Sequence, residues 1–140
     1  MEPTGERIRI EFAGRMIVDT TDAVRVLETS HPPVYYVPKD AVRADLDPAP
    51  GATVCEFKGA ARYLTVRVGD AEAERAVWYY PQPLPGYEAL AGRVAIYPGR
   101  MDRCEVAGEA VTPQPGGFYG GWITSRVVGP FKGGPGTLGW

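Results

Sequence analysis

One histidine and two cysteines in 140 residues rule out several chemistries at the start. Structural zinc commonly takes four ligands, often in close Cys-x-x-Cys pairs. Here Cys55 and Cys104 stand far apart and nothing completes the set, so neither a metal nor a cofactor is expected. Two cysteines also make no disulfide framework, and reduced thiols are the simpler reading. A Ser-His-Asp triad needs a base that faces its serine. His31 lies between Ser30 and Pro32, and neighbours on an extended chain point to opposite faces, so it reads as a turn histidine.

Charge of one sign is missing too. A net charge of −2 gives no electrostatic case for nucleic acid. No apolar run approaches the ~18 residues of a membrane span. The opening MEPTGERIRIEF carries acids and no apolar signal segment, so a cytoplasmic protein without a membrane partner is expected. No Walker-type loop is present. GPGTLG (134–139) matches the dinucleotide fingerprint letter for letter, but lacks the strand before it and the helix after it that the fingerprint requires. Asp45-Leu46-Asp47 has the spacing that sets two carboxylates on one strand face for magnesium. With no Gly-Ser turn upstream and Pro48 directly after, it reads as a solvated acidic loop.

Glycine and proline are abundant, 18 and 14 residues, about twice the usual share. Gly costs ~1 and Pro ~3 kcal/mol inside a helix, so long helices are excluded. Short alternating runs remain. Residues 6–12 and 15–20 read as a hairpin about Ala13-Gly14. Residues 34–38, 53–57, 61–68, 72–80 and 94–98 read as strands by β-branched and aromatic content. Residues 22–29 fit a strand or one helical face, and 39–52 read as a polar loop. A single helical turn fits 86–91. The expectation is a mainly β domain over 1–112, built of compact curled antiparallel sheets.

Residues 113–140 form a distinct extension, with nine of the 18 glycines and five of the 15 aromatic residues. A disordered tail is aromatic-poor. This extension is expected to pack on the domain through its rings, or on a second subunit, which would make a homo-oligomer.

Two constellations carry candidate chemistry. A nucleophilic thiolate needs a nearby cation, and Lys58 follows Cys55 by three positions. On a straight strand the two would face apart, unless the chain turns at Gly59. A buried structural thiol, a pocket-lining thiol and a nucleophile all remain open. The second constellation is aromatic: Tyr35, Tyr36, Tyr63, Trp78, Tyr80 and Tyr97 fall on strands near Arg25, Glu28, Lys58 and Arg62. Such sets line small-molecule sites, and they also simply fill β cores.

The stretches RVLETSHPPVYYVP, CEFKGAARYLTVRV, AVWYYPQPLP and GRVAIYP, in this order, resemble the domain-of-unknown-function family 427, sometimes given a nucleotidyltransferase-like name. The tail from Gly116 resembles the C-terminal extension of actinobacterial members. The resemblance implies a β-tent (Mss4-like) fold. It places recurring positions at Arg25, Glu28, Tyr36, Cys55, Lys58, Gly59, Tyr63, Trp78 and Tyr97, and carries no established activity. Three functions are therefore expected to compete. One is binding of a small, partly aromatic or anionic ligand by Arg25, Glu28, Tyr36, Lys58, Arg62, Tyr63 and Trp78. Another is thiol or acid–base catalysis by Cys55 with Lys58 or Glu28. The third is protein interaction through the aromatic tail.

Overall fold

The computed structural model describes residues 1–28, 32–55, 58–113 and 120–124. His31 with Ser30, the glycine fingerprint at 134–139, and Phe118, Tyr119, Phe131 and Trp140 lie outside them. Ile8, Ile10 and Phe12 alternate with polar residues along β2 (Ile8–Phe12), and β3 (Arg15–Thr20) returns beside it. Ala13 and Gly14 both take positive φ, 52° and 74°, the conformation of a tight hairpin turn whose twist matches the strands. β10 (Arg103–Val106) and the short β11 (Glu109–Ala110) complete a four-stranded sheet in the order β11-β10-β2-β3.

The larger sheet runs β1-β4-β5-β9-β8-β7-β6. Its strands are β1 (Glu2–Thr4), β4 (Ala23–Val26), β5 (Val34–Pro38), β6 (Asp45–Cys55), β7 (Gly59–Val68), β8 (Ala71–Tyr79) and β9 (Arg93–Ile96). Every pairing within it is antiparallel. Three single 3₁₀ turns, Lys39–Ala41, Glu88–Leu90 and Pro98–Arg100, are the helical content of the described residues. The ambiguous 22–29 segment thus resolves in part as a strand, β4.

The sheets are neither curled nor closed, which corrects the expected β-tent. Among the described residues each is a linear order of strands with two unpaired edges, and β6 at one end does not return to β1 at the other. The glycines and prolines taken as signs of curl serve turns and an edge instead. Pro48 and Pro50 lie inside β6, which the sequence places in a loop. Because β6 pairs only with β7 among the described residues, a missing N–H on its outer side breaks no ladder bond there. Asp45 and Asp47 therefore sit on a strand, and Arg67 holds Asp47 at 3.1 Å and Glu72 at 2.6 Å.

Alternation along the larger sheet divides its side chains between two clusters. Tyr35, Val37, Leu64, Val66, Val77, Val94 and Ile96 meet Ile8, Ile10, Ile17, Val18 and Val106 of the smaller sheet, making the main core. Their neighbours Val24, Val26, Tyr36, Ala61, Trp78, Tyr80 and Ala95 form a second cluster on the outer face. Further along, β12 (Thr112–Pro113) pairs with β13 (Trp122–Ile123). Trp122 is buried in the main core with its ring 5.3 Å from Tyr35. Two residues earlier, Gly120 rests on the other cluster. A Cβ there would stand 2.3 Å from Trp78 Cη2, a clash that only glycine avoids.

Candidate functional site

Burying the rings and aliphatic chains of this outer cluster requires a cover, and the proline-rich segment after β8 supplies part of it, including Leu90. Leu84 donates its backbone N–H to the Lys58 carbonyl at 2.9 Å, and Tyr87 brings its ring to 5.8 Å from Lys58 Nζ. Gly59 makes this approach feasible. It takes φ +115°, and a Cβ there would stand 3.1 Å from the Gln82 carbonyl oxygen. Gly59 pairs with Cys55 across the β6–β7 hairpin, so Lys58 lies in the turn rather than on the strand. That turn removes the objection that Cys55 and Lys58 face apart.

Lys58 is 6% exposed. An ammonium so buried requires a partner, since desolvation of an unpaired charge costs several kcal/mol. Glu28, on the chain just beyond β4, accepts from Nζ at 2.5 Å while staying half exposed. A long N–H···S contact of 3.9 Å reaches Cys55 Sγ, which is half-buried. A thiol, an ammonium and a carboxylate thus share one edge of the aromatic cluster.

Tyr36 and Tyr80 keep their hydroxyl protons in this setting. Burial holds the Tyr36 and Tyr80 hydroxyls well above the usual phenol range, and the Glu28 carboxylate adds to the effect at both. Trp78 Nε1 donates to Tyr36 Oη at 3.3 Å, and the Tyr36 and Tyr80 rings lie 6.5 Å apart. Burial, with Tyr63 beside it, pushes Tyr97 up to about 12. Trp78 and Tyr97 have ring centroids 4.4 Å apart, and Trp78 meets Tyr36 edge-on at 6.2 Å. Tyr63 Oη and Thr53 Oγ1 lie 2.9 Å apart.

Of the residues singled out by sequence, Glu28, Tyr36, Cys55, Lys58, Tyr63, Trp78, Tyr80 and Tyr97 come together here. Arg25 does not. It pairs with Glu2 and Glu6, opposite Tyr35 in register and on the core-facing side of its strand. Arg62 is exposed and alternates with Ala61 and Tyr63, so it too faces away from the cluster. Tyr35 faces the main core. Two members were missed. Tyr87 has no strand alternation to announce it. Arg75 stacks on Tyr63 at 4.4 Å, brought there by a break in the β8 pattern that shows only as the consecutive apolar pair Ala76-Val77.

Among the described residues no group of three His, Cys, Asp or Glu side chains is placed to hold a metal ion. An open recess of about 590 Å³ lies elsewhere, between Lys39, Asp40, Val42, Asp45 and Gly92. It includes neither the thiol nor the ion pair.

The second thiol gives an internal reference. Cys104 is 3% exposed, and burial pushes it up to about 12. It then has about 10³-fold less thiolate at neutral pH than an ordinary cysteine. Iodoacetamide should label Cys55 and spare Cys104 in the native chain, as read by peptide mass spectrometry. Equal labelling would mean that the packing over Cys104 opens readily.

These features define a small, mostly β protein with a buried aromatic cluster suggestive of a ligand-binding surface. The chain belongs to the family described as Domain of unknown function (DUF427), whose profile matches residues 1–107. No curated protein matches it.

Proposed function

We propose that the outer aromatic face of the larger sheet binds a small, partly aromatic, anionic ligand. The observation that carries this reading is the Lys58–Glu28 pair set into an aromatic cluster. A core that needed only packing gains little from a buried ammonium, because desolvation offsets most of the attraction. A ligand site, by contrast, uses a few placed polar groups among rings to fix orientation. Tyr63 and Tyr97, both half-buried, offer ring surface above the buried Trp78, while Lys58 has donors left over after Glu28 is satisfied. Arg25 and Arg62 have no part in this arrangement.

A calorimetric titration of the full chain with planar anions tests the reading. Lys58→Met keeps the buried stem and removes the donors, so affinity should fall about tenfold. Tyr63→Leu, on the half-buried rim, should weaken the same ligands. If neither substitution changes the affinity of any planar anion that binds, the face is not the site.

The Cys55–Lys58 contact favours a second reading, thiol or acid–base catalysis at this edge, in which Lys58 stabilises a thiolate. That reading expects Cys55 to react with iodoacetamide at least about tenfold faster than glutathione at neutral pH. A rate equal to that of glutathione would leave Cys55 a bystander. Cytoplasmic location, and an actinobacterial type of extension over 113–140, complete the proposal as the setting in which this chain works.

A further inference from the structure

Arg75 occupies a place that ordinary strand geometry would not give it. Leu64 pairs with Val77, yet Val66 pairs with Ala73, so β8 carries extra residues opposite Thr65. Arg75 lies in this bulge with φ +53°, a conformation disfavoured for any side chain with a Cβ. Its backbone N–H donates to Thr65 Oγ1 at 3.3 Å. The neighbouring edge strand is irregular at the same level. β6 shifts register between Ala49 and Ala52, where Gly51 takes φ +101°. A Cβ at Gly51 would stand 3.2 Å from Arg75 Nη2, so the missing side chain leaves room for the guanidinium. Two irregularities on either side of β7 therefore combine to lay one cation on the ring of Tyr63. Bulges beside functional sites commonly serve to re-aim a side chain in this way.

The charges decide what this cation can do. Lys58 is already neutralised by Glu28 at 2.5 Å. The ion pairs among the described residues that involve arginine use Arg7, Arg9, Arg25, Arg67, Arg93 and Arg103, and none brings a carboxylate to Arg75. The guanidinium carbon of Arg75 lies 4.4 Å from the Tyr63 ring centroid, and its N–H donors match a carboxylate or phosphate in a two-point fork.

We propose that Arg75 is the anion anchor of this face, and that the ligand class is a planar ring compound carrying a carboxylate or phosphate. The inference rests on the reading of the aromatic face as a ligand site. It assigns the ligand's charge to Arg75, and leaves to Lys58 and Glu28 the neutral polar contacts.

The experiment titrates the full chain at low salt with four probes: adenosine 5′-monophosphate, adenosine, 4-hydroxybenzoate and phenol. At least one anion should bind about tenfold or more tightly than its neutral counterpart, and whichever does identifies phosphate or carboxylate as the group recognised. Arg75→Gln should lower that anion's affinity by about 10- to 100-fold, to the level of the neutral probe, and leave the neutral probe unchanged. If Arg75→Gln leaves both anions unchanged while Tyr63→Leu weakens them, the face is a site and Arg75 is not its anchor. Binding insensitive to both substitutions, or absent for all four probes, overturns the site and the anchor together. Arg75→Gly separates anchoring from support. Glycine accepts the positive φ, so this variant should melt no lower than the parent chain while losing the anion preference. A marked drop in melting temperature would make Arg75 a brace for the bulge and end the proposal.

Discussion

Replacing Trp122 by alanine should cost about 3–5 kcal/mol of folding stability, the usual range for removing a fully buried tryptophan. The residue is 1% exposed, and its ring lies tilted against Tyr35. Its Nε1 donates to the Ile96 carbonyl at 3.3 Å, and its backbone N–H donates to the Pro33 carbonyl at 2.8 Å. Truncation removes the ring and leaves the Ile96 carbonyl without that donor, whereas Trp122→Phe keeps most of the packing and should cost about 1–2 kcal/mol. Domains of this kind are stable by only about 5–15 kcal/mol, so the alanine variant would lose a large part of the total. Urea unfolding followed by circular dichroism gives the number. A cost under about 1 kcal/mol would show that residues 120–124 are dispensable to the fold. The buried position also argues against Trp122 as a contact for a partner, since it is spent on the chain's own core.

Glu28→Gln is the second substitution with a large expected effect. It leaves the Lys58 ammonium buried with no carboxylate. Breaking a fully buried pair this way costs about 3–5 kcal/mol. Glu28 is half exposed, so water screens part of the interaction and about 2–3 kcal/mol is expected here. Lys58→Met removes the charge that needed compensation and should cost less than about 1 kcal/mol. The double variant should then resemble Lys58→Met alone, giving a coupling of about 2 kcal/mol in a urea-unfolding cycle. Additive costs, with coupling under about 0.5 kcal/mol, would mean that the ammonium is solvated and that the pair has little energetic weight. Because Lys58→Met is mild for the fold, it remains a usable probe of ligand binding.

The two substitutions test different parts of one arrangement. Gly120 presses on Trp78 and Tyr97 at the outer face, and Trp122 anchors the same short segment in the main core. The segment therefore ties the packing behind the larger sheet to the aromatic surface in front of it. Arg75 and the Lys58–Glu28 pair flank that surface through two different turns, the bulge in β8 and the β6–β7 hairpin.

What the sequence determined by itself was local. Alternation in ERIRIEF and ARYLTVRV, and β-branched and aromatic content in VYYVP, established strands, and the frequency of glycine and proline excluded long helices. Aromatic residues on strand positions marked Tyr36, Tyr63, Trp78, Tyr80 and Tyr97, because a period of two places them on one face once the register is known. The motif at Cys55, Lys58 and Gly59 was legible as a hairpin with a thiol beside it. Only the tertiary structure decided which strand was an edge. That decision made Pro48 and Pro50 compatible with β6 and left both sheets open, because a strand paired on one side needs only half its backbone donors. It also decided which charges serve the site. Arg25 and Lys58 look alike as isolated cations in a sequence. Alternation turns the first toward Glu2 and Glu6, while the hairpin turn brings the second onto Glu28. Arg75 was out of reach of any local reading, since its direction depends on a bulge defined by the strand beside it. Periodicity is a property of one strand, whereas pairing, edges and bulges are properties of two or more, and the site is built from the latter.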